Sequence, residues 1–391
     1  MTPPMTDPAG EVVLAGARVV LPDRVQADGW VRVSGRQISA VGSGRPPRDA
    51  SVRDLSGAWL LPGYLDLHMH GGGGHDVTVS QAEMQAAAAF HRRHGTTRTL
   101  VSLVTAPLPA LVEQLGWVGD LTAQGPRDGG HVIGAHVEGP FLSPARCGAQ
   151  NVDFMVPPDR SVVAALVSAG GRSLRCMTIA PELPGALEVI DELVRSGIVA
   201  ALGHSDATYD QARAAVDRGA TLVTHVFNGM RPLEHREPGL VGAALDSDIA
   251  CELINDGIHT HPAIARLVAS RPDRLVLVTD AMAAAGAGDG SFSLGGEQVH
   301  VADRQARLVT TGTLAGSTLT MDEAVRRAVL DSGLTIEAAS RAASANPARV
   351  MGIGDRVGAI VAGLEADLVV LDDDLRPVEV MASGAWSAQD R

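Results

Sequence analysis

The stretch Leu61-Pro-Gly-Tyr-Leu-Asp-Leu-His-Met-His70 is a short apolar run that ends in two histidines one residue apart. In an extended strand successive side chains alternate between faces, so His68 and His70 share a face and can grip one ion. Seven further β-prone runs follow, at residues 97–105, 132–137, 175–180, 199–203, 221–224, 250–254 and 275–279. Between them lie stretches of helical periodicity. Residues 80–94 carry alanine at 82, 86, 87, 88 and 89, and residues 206–219 offer Asp206 as N-cap and Gly219 as a stop. Strands alternating with helices predict βα units and a parallel sheet, and eight such units close a (β/α)8 TIM-like barrel.

The flanks read differently. Residues 11–59 alternate short valine-rich runs with Gly, Asp and Pro turns, and residues 363–372 and 377–381 look like strands of the same kind. The two ends are expected to pack as one split β-sandwich domain, residues 1–59 with 355–391, beside a barrel spanning 60–354.

Composition narrows the function. The 391 residues, 45% of them apolar, suffice for a barrel of roughly 250 residues plus a companion module. No run approaches the roughly 18 uninterrupted apolar residues of a membrane span, and residues 1–10 contain no basic side chain, so neither membrane insertion nor secretion is expected. Cys147, Cys176 and Cys251 form no CxxC pair, which fits a reducing cytoplasm better than a disulfide framework. A net charge of −13 with 3% aromatic residues disfavours nucleic acid as a partner, and an anionic substrate needs local arginines. All 32 basic residues are arginine. The absence of lysine excludes Schiff-base chemistry, Walker-type phosphate lysines and metal pairs bridged by a carbamylated lysine.

In such barrels reactive residues lie at the C-terminal ends of strands, on one rim. The first run ends in His68 and His70, the third in His136-Val-Glu138, the fifth in His204, the sixth in His225 and the eighth in Asp280. An isolated HxH is a weak signal, but five strand ends bringing imidazoles and carboxylates to one rim read as a metal centre. His136 shares a face with Glu138 and reads as support for the ligands rather than one of them. The arrangement resembles the amidohydrolase superfamily. With no lysine to bridge two metals, a carboxylate must do so, and Glu138 is the candidate. The expected assignment is His68, His70, Glu138 and Asp280 around one divalent ion, with Glu138, His204 and His225 around a second. Such ligands suit Zn2+, with Fe2+, Co2+ or Mn2+ as alternatives. A bound metal lowers the pKa of its water towards roughly 7, which supplies hydroxide as nucleophile. Asp280 is expected to act as general base and acid, carrying the proton from water to the leaving amine.

Longer motifs narrow the family. Pro62-Gly-Tyr-Leu-Asp-Leu-His-Met-His-Gly71, His136-Val-Glu-Gly-Pro-Phe141, Leu202-Gly-His-Ser-Asp206, Thr224-His-Val-Phe-Asn-Gly-Met230, Arg236-Glu-Pro-Gly239, Asp256-Gly-Ile-His259, Val278-Thr-Asp280 and Thr313-Leu-Ala-Gly-Ser317 together resemble the N-acetylglucosamine-6-phosphate deacetylases. The resemblance implies a metal-dependent homodimer of barrel-plus-sandwich subunits that removes acetate from a phosphorylated amino sugar. It implies that His259 and Arg236 hold the phosphate, Arg236 from across the dimer interface, that Asn228 and Gly229 touch the sugar, and that Leu314 and Met282 border the acetyl group. A guanidinium at 236 is also what a dianion approaching an acidic protein requires. The sequence departs from the family after Glu138-Gly-Pro, where Gly-Ala-His is usual and Gly148-Ala-Gln150 stands here. Gln150 can donate a hydrogen bond but carries no charge and no titrating proton, which lowers the activity to be expected. An N-acetylgalactosamine-6-phosphate deacetylase, another N-acyl amidohydrolase, or a sugar-phosphate binder without turnover are the alternatives. The glycines at 71–74 read as a loop rather than a phosphate cradle, and Cys147 as an ordinary solvent-facing or packed thiol, with redox sensitivity the alternative.

Overall fold

The computed structural model describes residues 10–47, 51–125 and 131–387. Eight parallel strands follow one another in chain order as Tyr64–Asp66, Thr96–Leu103, His131–Glu138, Leu174–Ile179, Val199–Leu202, Leu222–Val223, Ala250–Ile254 and Leu275–Val278. Each neighbours the next, and the first and eighth meet at the rim. There the Asp280 amide donates to His68 O and the His70 amide to Ala281 O, both at 2.8 Å. The buried Asp66 carboxylate ties the same seam, accepting from Thr279 Oγ1 at 2.6 Å and from the Thr279 and His68 amides. This is the expected barrel, and its strands are short, apolar and covered on both faces.

The run expected as one strand over 61–67 is divided at Gly63. Trp59–Pro62 pairs with Glu11–Val20 and Leu368–Leu371, whereas Tyr64–Asp66 enters the barrel. Gly63 lies against Thr97, whose Oγ1 stands 2.4 Å from where a Cβ would sit, so the crossing from one sheet to the other needs glycine. Strands from both chain ends join in one eight-stranded sheet around their own core of Leu14, Val19, Val31, Ile38, Leu60, Leu368 and Met381. The end sheet therefore extends through Pro62.

Two details differ from the sequence reading. The helix expected from Asp206 begins at Tyr209, capped by Thr208 in a reciprocal box with Gln211, because the Asp206 carboxylate is engaged by Arg146 and Arg231 instead. After the eighth strand the chain also inserts a three-stranded antiparallel sheet, Gly290–Leu294, Glu297–Ala302 and Gln305–Leu308, whose buried face packs on Val104 and Met282. Among the described residues no helix is long and apolar enough to cross a membrane.

Candidate metal centre

The strand ends converge as the alternation rule requires. His68 and His70 point to the same side, with their Nε2 atoms 3.0 Å apart, and the Nε2 atoms of His204 and His225 lie 3.1 Å apart. Glu138 stands between the pairs. Its Oε1 is 3.0 Å from both His204 and His225 Nε2, and its Oε2 is 3.3 Å from His70 Nε2. Asp280 Oδ1 lies 3.5 Å from His68 Nε2 and 3.2 Å from His70 Nε2. Two groups, His68 with His70 and Glu138, and Glu138 with His204 and His225, are each compact enough to hold one ion, and all are buried.

Local backbone conformation supports a functional reading. His204, His225 and Asp280 all occupy the left-handed region, with φ of 47°, 28° and 47°, where side-chain-bearing residues seldom sit. Such strain gathers at sites whose side chains must be aimed. Gly229, at φ 58°, lies against the His204 ring, since a Cβ there would fall 2.8 Å from Nδ1.

The remaining ring nitrogens explain the orientation. His70 Nδ1 is 2.9 Å from Ser102 O and His204 Nδ1 is 2.9 Å from Arg146 O. A carbonyl opposite Nδ1 requires N–H there and leaves the Nε2 lone pair facing inward, which is the ligating tautomer. His68 Nδ1 is held by the buried Glu252 carboxylate at 3.1 Å. His136 is engaged on both nitrogens, by Ser102 Oγ at 3.0 Å and Thr178 Oγ1 at 2.7 Å, so it packs beside His68 and belongs to neither group.

Lone pairs facing each other at 3.0 Å demand a cation between them, and the electrostatics agree. Burial alone would lower His70, yet hydrogen bonds to Asp280 and Glu138 raise it to about 9. Burial likewise opposes charge on Glu138, but the surrounding imidazoles, His68 foremost, hold its carboxyl well below the usual range. The cluster seeks positive charge that a divalent ion would supply, and its nitrogen and oxygen donors suit one.

His70, Glu138, His204, His225 and Asp280 form the floor of a cavity of about 280 Å³. Its walls include Gln150, Asn228, Gly229, His259 and Leu314, so five of the seven expected substrate contacts gather around the expected ligands. Gln150 donates to Glu138 Oε2 at 2.6 Å and accepts from the Thr105 amide at 2.8 Å. The Asn228 side-chain amide donates to His225 O at 3.2 Å. Arg236 lies in the exposed segment 232–237 and does not line this cavity. Met282 is fully buried under the inserted sheet and is not in the wall either. The amides of Gly73 and Gly74 donate to Ala285 O and Ala283 O, so this loop is fastened to backbone. Cys147 is half-buried beside Gly148.

Sequence reasoning missed Glu252 and the inserted sheet. The signal for Glu252 was a lone acid inside the apolar strand Ala250–Ile254. The signal for the sheet was period-two alternation in residues 290–308, punctuated by Gly295-Gly296 and Asp303-Arg304.

Residues 59–387 match the amidohydrolase family. The chain is 36% identical over 375 residues to an N-acetylgalactosamine-6-phosphate deacetylase of Escherichia coli O157:H7, covering 95% of this chain and 98% of the relative. It is 34% identical over 386 residues to the N-acetylglucosamine-6-phosphate deacetylase of Bacillus subtilis, with 96% and 97% covered. A mutant of the N-acetyl-D-glucosamine-6-phosphate deacetylase of Mycobacterium smegmatis, solved in complex with N-acetyl-D-glucosamine-6-phosphate, superposes with a TM-score of 0.93 at 41% identity, covering 97% of this chain and all of that one.

Proposed function

Since this chain belongs to the amidohydrolase family, alongside the N-acetylhexosamine-6-phosphate deacetylases, we propose that it hydrolyses the acetamide of N-acetyl-D-glucosamine 6-phosphate to D-glucosamine 6-phosphate and acetate. The observation that carries the reading is the pairing of two three-ligand groups through Glu138 at the floor of a cavity walled by Gln150, Asn228 and His259.

In this reading His68, His70, Glu138 and Asp280 hold one divalent ion and Glu138, His204 and His225 a second, with zinc the first choice and iron, cobalt or manganese alternatives. Divalent ions so held supply Lewis acidity and make water a stronger acid. Asp280 does the proton work. Its Oδ1 takes the proton from the attacking water and returns it to the amide nitrogen, which leaves poorly unless protonated. Gln150 has one amide hydrogen beyond the one given to Glu138 and offers it to the acetyl oxygen. Asn228 and Gly229 orient the sugar, Leu314 borders the acetyl methyl, and His259 receives the phosphate. Arg236 serves the neighbouring subunit of a homodimer, a role consistent with its exposed loop and its place outside the lining of its own cavity. Three free cysteines, two of them buried, suit the cytoplasm as its location.

The galactosamine epimer is the second reading, favoured by the 36% identity to the E. coli relative over 98% of its length. Amine release from both N-acetylhexosamine 6-phosphates, measured in parallel on metal-reconstituted protein, tests the two. Turnover of neither by metal-loaded protein would overturn the assignment.

A further inference from the structure

Behind the cavity wall, bonded to the lining residue His259, stands an acid that the proposed chemistry does not use. Asp256 is 6% exposed and lies just past the seventh strand. Its Oδ1 accepts from the amides of Ile258 at 2.8 Å and His259 at 2.9 Å, and its Oδ2 is 2.7 Å from His259 Nδ1. A buried carboxylate just behind a pocket for an anion is costly unless it is paired. Its partner is the imidazole. With Nδ1 committed to Asp256, Nε2 is the nitrogen His259 presents to the cavity it lines, and among the described residues no protein group is bonded there.

We propose that Asp256 is a positioning residue that keeps His259 protonated, with Nε2–H turned to the cavity, so that the pocket recognises a phosphate dianion as an ion pair at neutral pH. This rests on the phosphorylated-sugar reading and deepens it.

The physical need is a matter of overlapping charge states. A phosphate monoester becomes a dianion above about pH 6. An unassisted histidine loses its proton near 6.5, which leaves the dianion and the imidazolium together over only about half a pH unit. Burial would narrow that window further. The hydrogen bond and charge of Asp256 outweigh it, and His259 sits above its ordinary value. Asp280 acts in the same direction from across the cavity, and Arg307 opposes. Arg307 bonds only neutral acceptors, Gly312 O and Gln305 Oε1, so its charge is not cancelled by a carboxylate among the described residues. Asp256 widens the window to cover neutral pH, and its fixed pair of amide bonds aims the ring.

The test uses the metal-loaded full chain and glucose 6-phosphate, which has the phosphate but no acetamide to react. Calorimetric affinities are measured from pH 5.5 to 8.5 for wild type, Asp256→Asn and Asp256→Glu, with glucose as the phosphate-free control. Wild-type affinity should hold through pH 7.5. Asp256→Asn keeps the oxygen that receives the two amides; it should come nearest wild type at pH 5.5 and diverge with rising pH, to roughly tenfold below it by pH 8. Asp256→Glu should recover part of that loss, and His259→Gln should bind weakly with a flat profile. A profile for Asp256→Asn parallel to that of wild type, whether unchanged or uniformly weaker, overturns the proposal, since a scaffolding role has no pH dependence. Turnover of N-acetylglucosamine 6-phosphate on the same samples separates the two claims. If wild type turns over and the profiles stay parallel, the role of Asp256 falls alone. If turnover is absent while the profiles diverge, the substrate assignment falls and the phosphate site stands.

Discussion

Gln150 and Glu138 are joined by a 2.6 Å hydrogen bond, and the other end of the same amide is fixed by the backbone of Thr105 at 2.8 Å. A neutral side chain thus braces the carboxylate on which both candidate ligand groups depend. Removing the brace in Gln150→Ala is expected to weaken metal binding by roughly 10- to 100-fold, read by competition with a chromogenic chelator. Gln150→His is expected to raise kcat and to add a limb near pH 6–7 to the rate profile, because an imidazole titrates there and an amide does not. Equal rates with superimposable pH profiles for the two forms would show that position 150 tolerates either residue.

Glu252 holds His68 from behind through Nδ1 at 3.1 Å. Glu252→Gln keeps the shape and removes the charge that favours this orientation. Divalent metal affinity should fall roughly 10- to 100-fold, with near-native circular dichroism. Unchanged affinity would mean that the Ser102 and Glu138 contacts suffice to set the site.

Asp280→Asn removes the proposed proton carrier while keeping an oxygen near His68 and His70. The expected loss is roughly 10²- to 10⁴-fold in kcat with little change in KM for N-acetylglucosamine 6-phosphate. A loss confined to KM would move Asp280 from chemistry to binding.

The junction between barrel and end sheet is charged and largely buried. Arg98 bonds Asp367 at 2.6 Å and Glu365 at 2.7 Å, and its guanidinium donates to His131 Nδ1 at 3.1 Å. Arg98→Ala strands the buried Asp367 carboxylate and should cost roughly 3–5 kcal/mol in denaturant unfolding. Burial, with Arg98 beside it, lowers His131 to about 4. Between that value and the roughly 6.5 of an exposed histidine only the unfolded chain takes up the proton. Stability from this group is therefore full above about pH 6.5 and is lost as pH falls towards 4. Tm measured across that interval should decline less steeply in His131→Gln than in wild type, and parallel curves would refute the assignment.

Much of this was legible in the chain itself. The eight runs and the residues that end them were readable because buried parallel strands are mostly apolar and stop at polar rim positions, as with Leu202 before His204 and Val278 before Asp280. The cut at Gly63 was not, since an apolar run looks the same whether it serves one sheet or two, and only contact with Thr97 distinguishes them. Asp206 illustrates another limit. Its N-cap propensity is real, but two guanidiniums distant in sequence outbid the helix for its carboxylate. Glu252 escaped notice because its function depends on facing His68 from a strand 184 residues away.

Glu138 offers one oxygen to His204 and His225 and the other to His70. A ligand held in common makes the two positions interdependent: whichever ion arrives first draws on the electron density its neighbour needs, and the penalty is the same in either order. With an ion in each group, loading would spread over a wide span of free metal concentration instead of switching at one threshold.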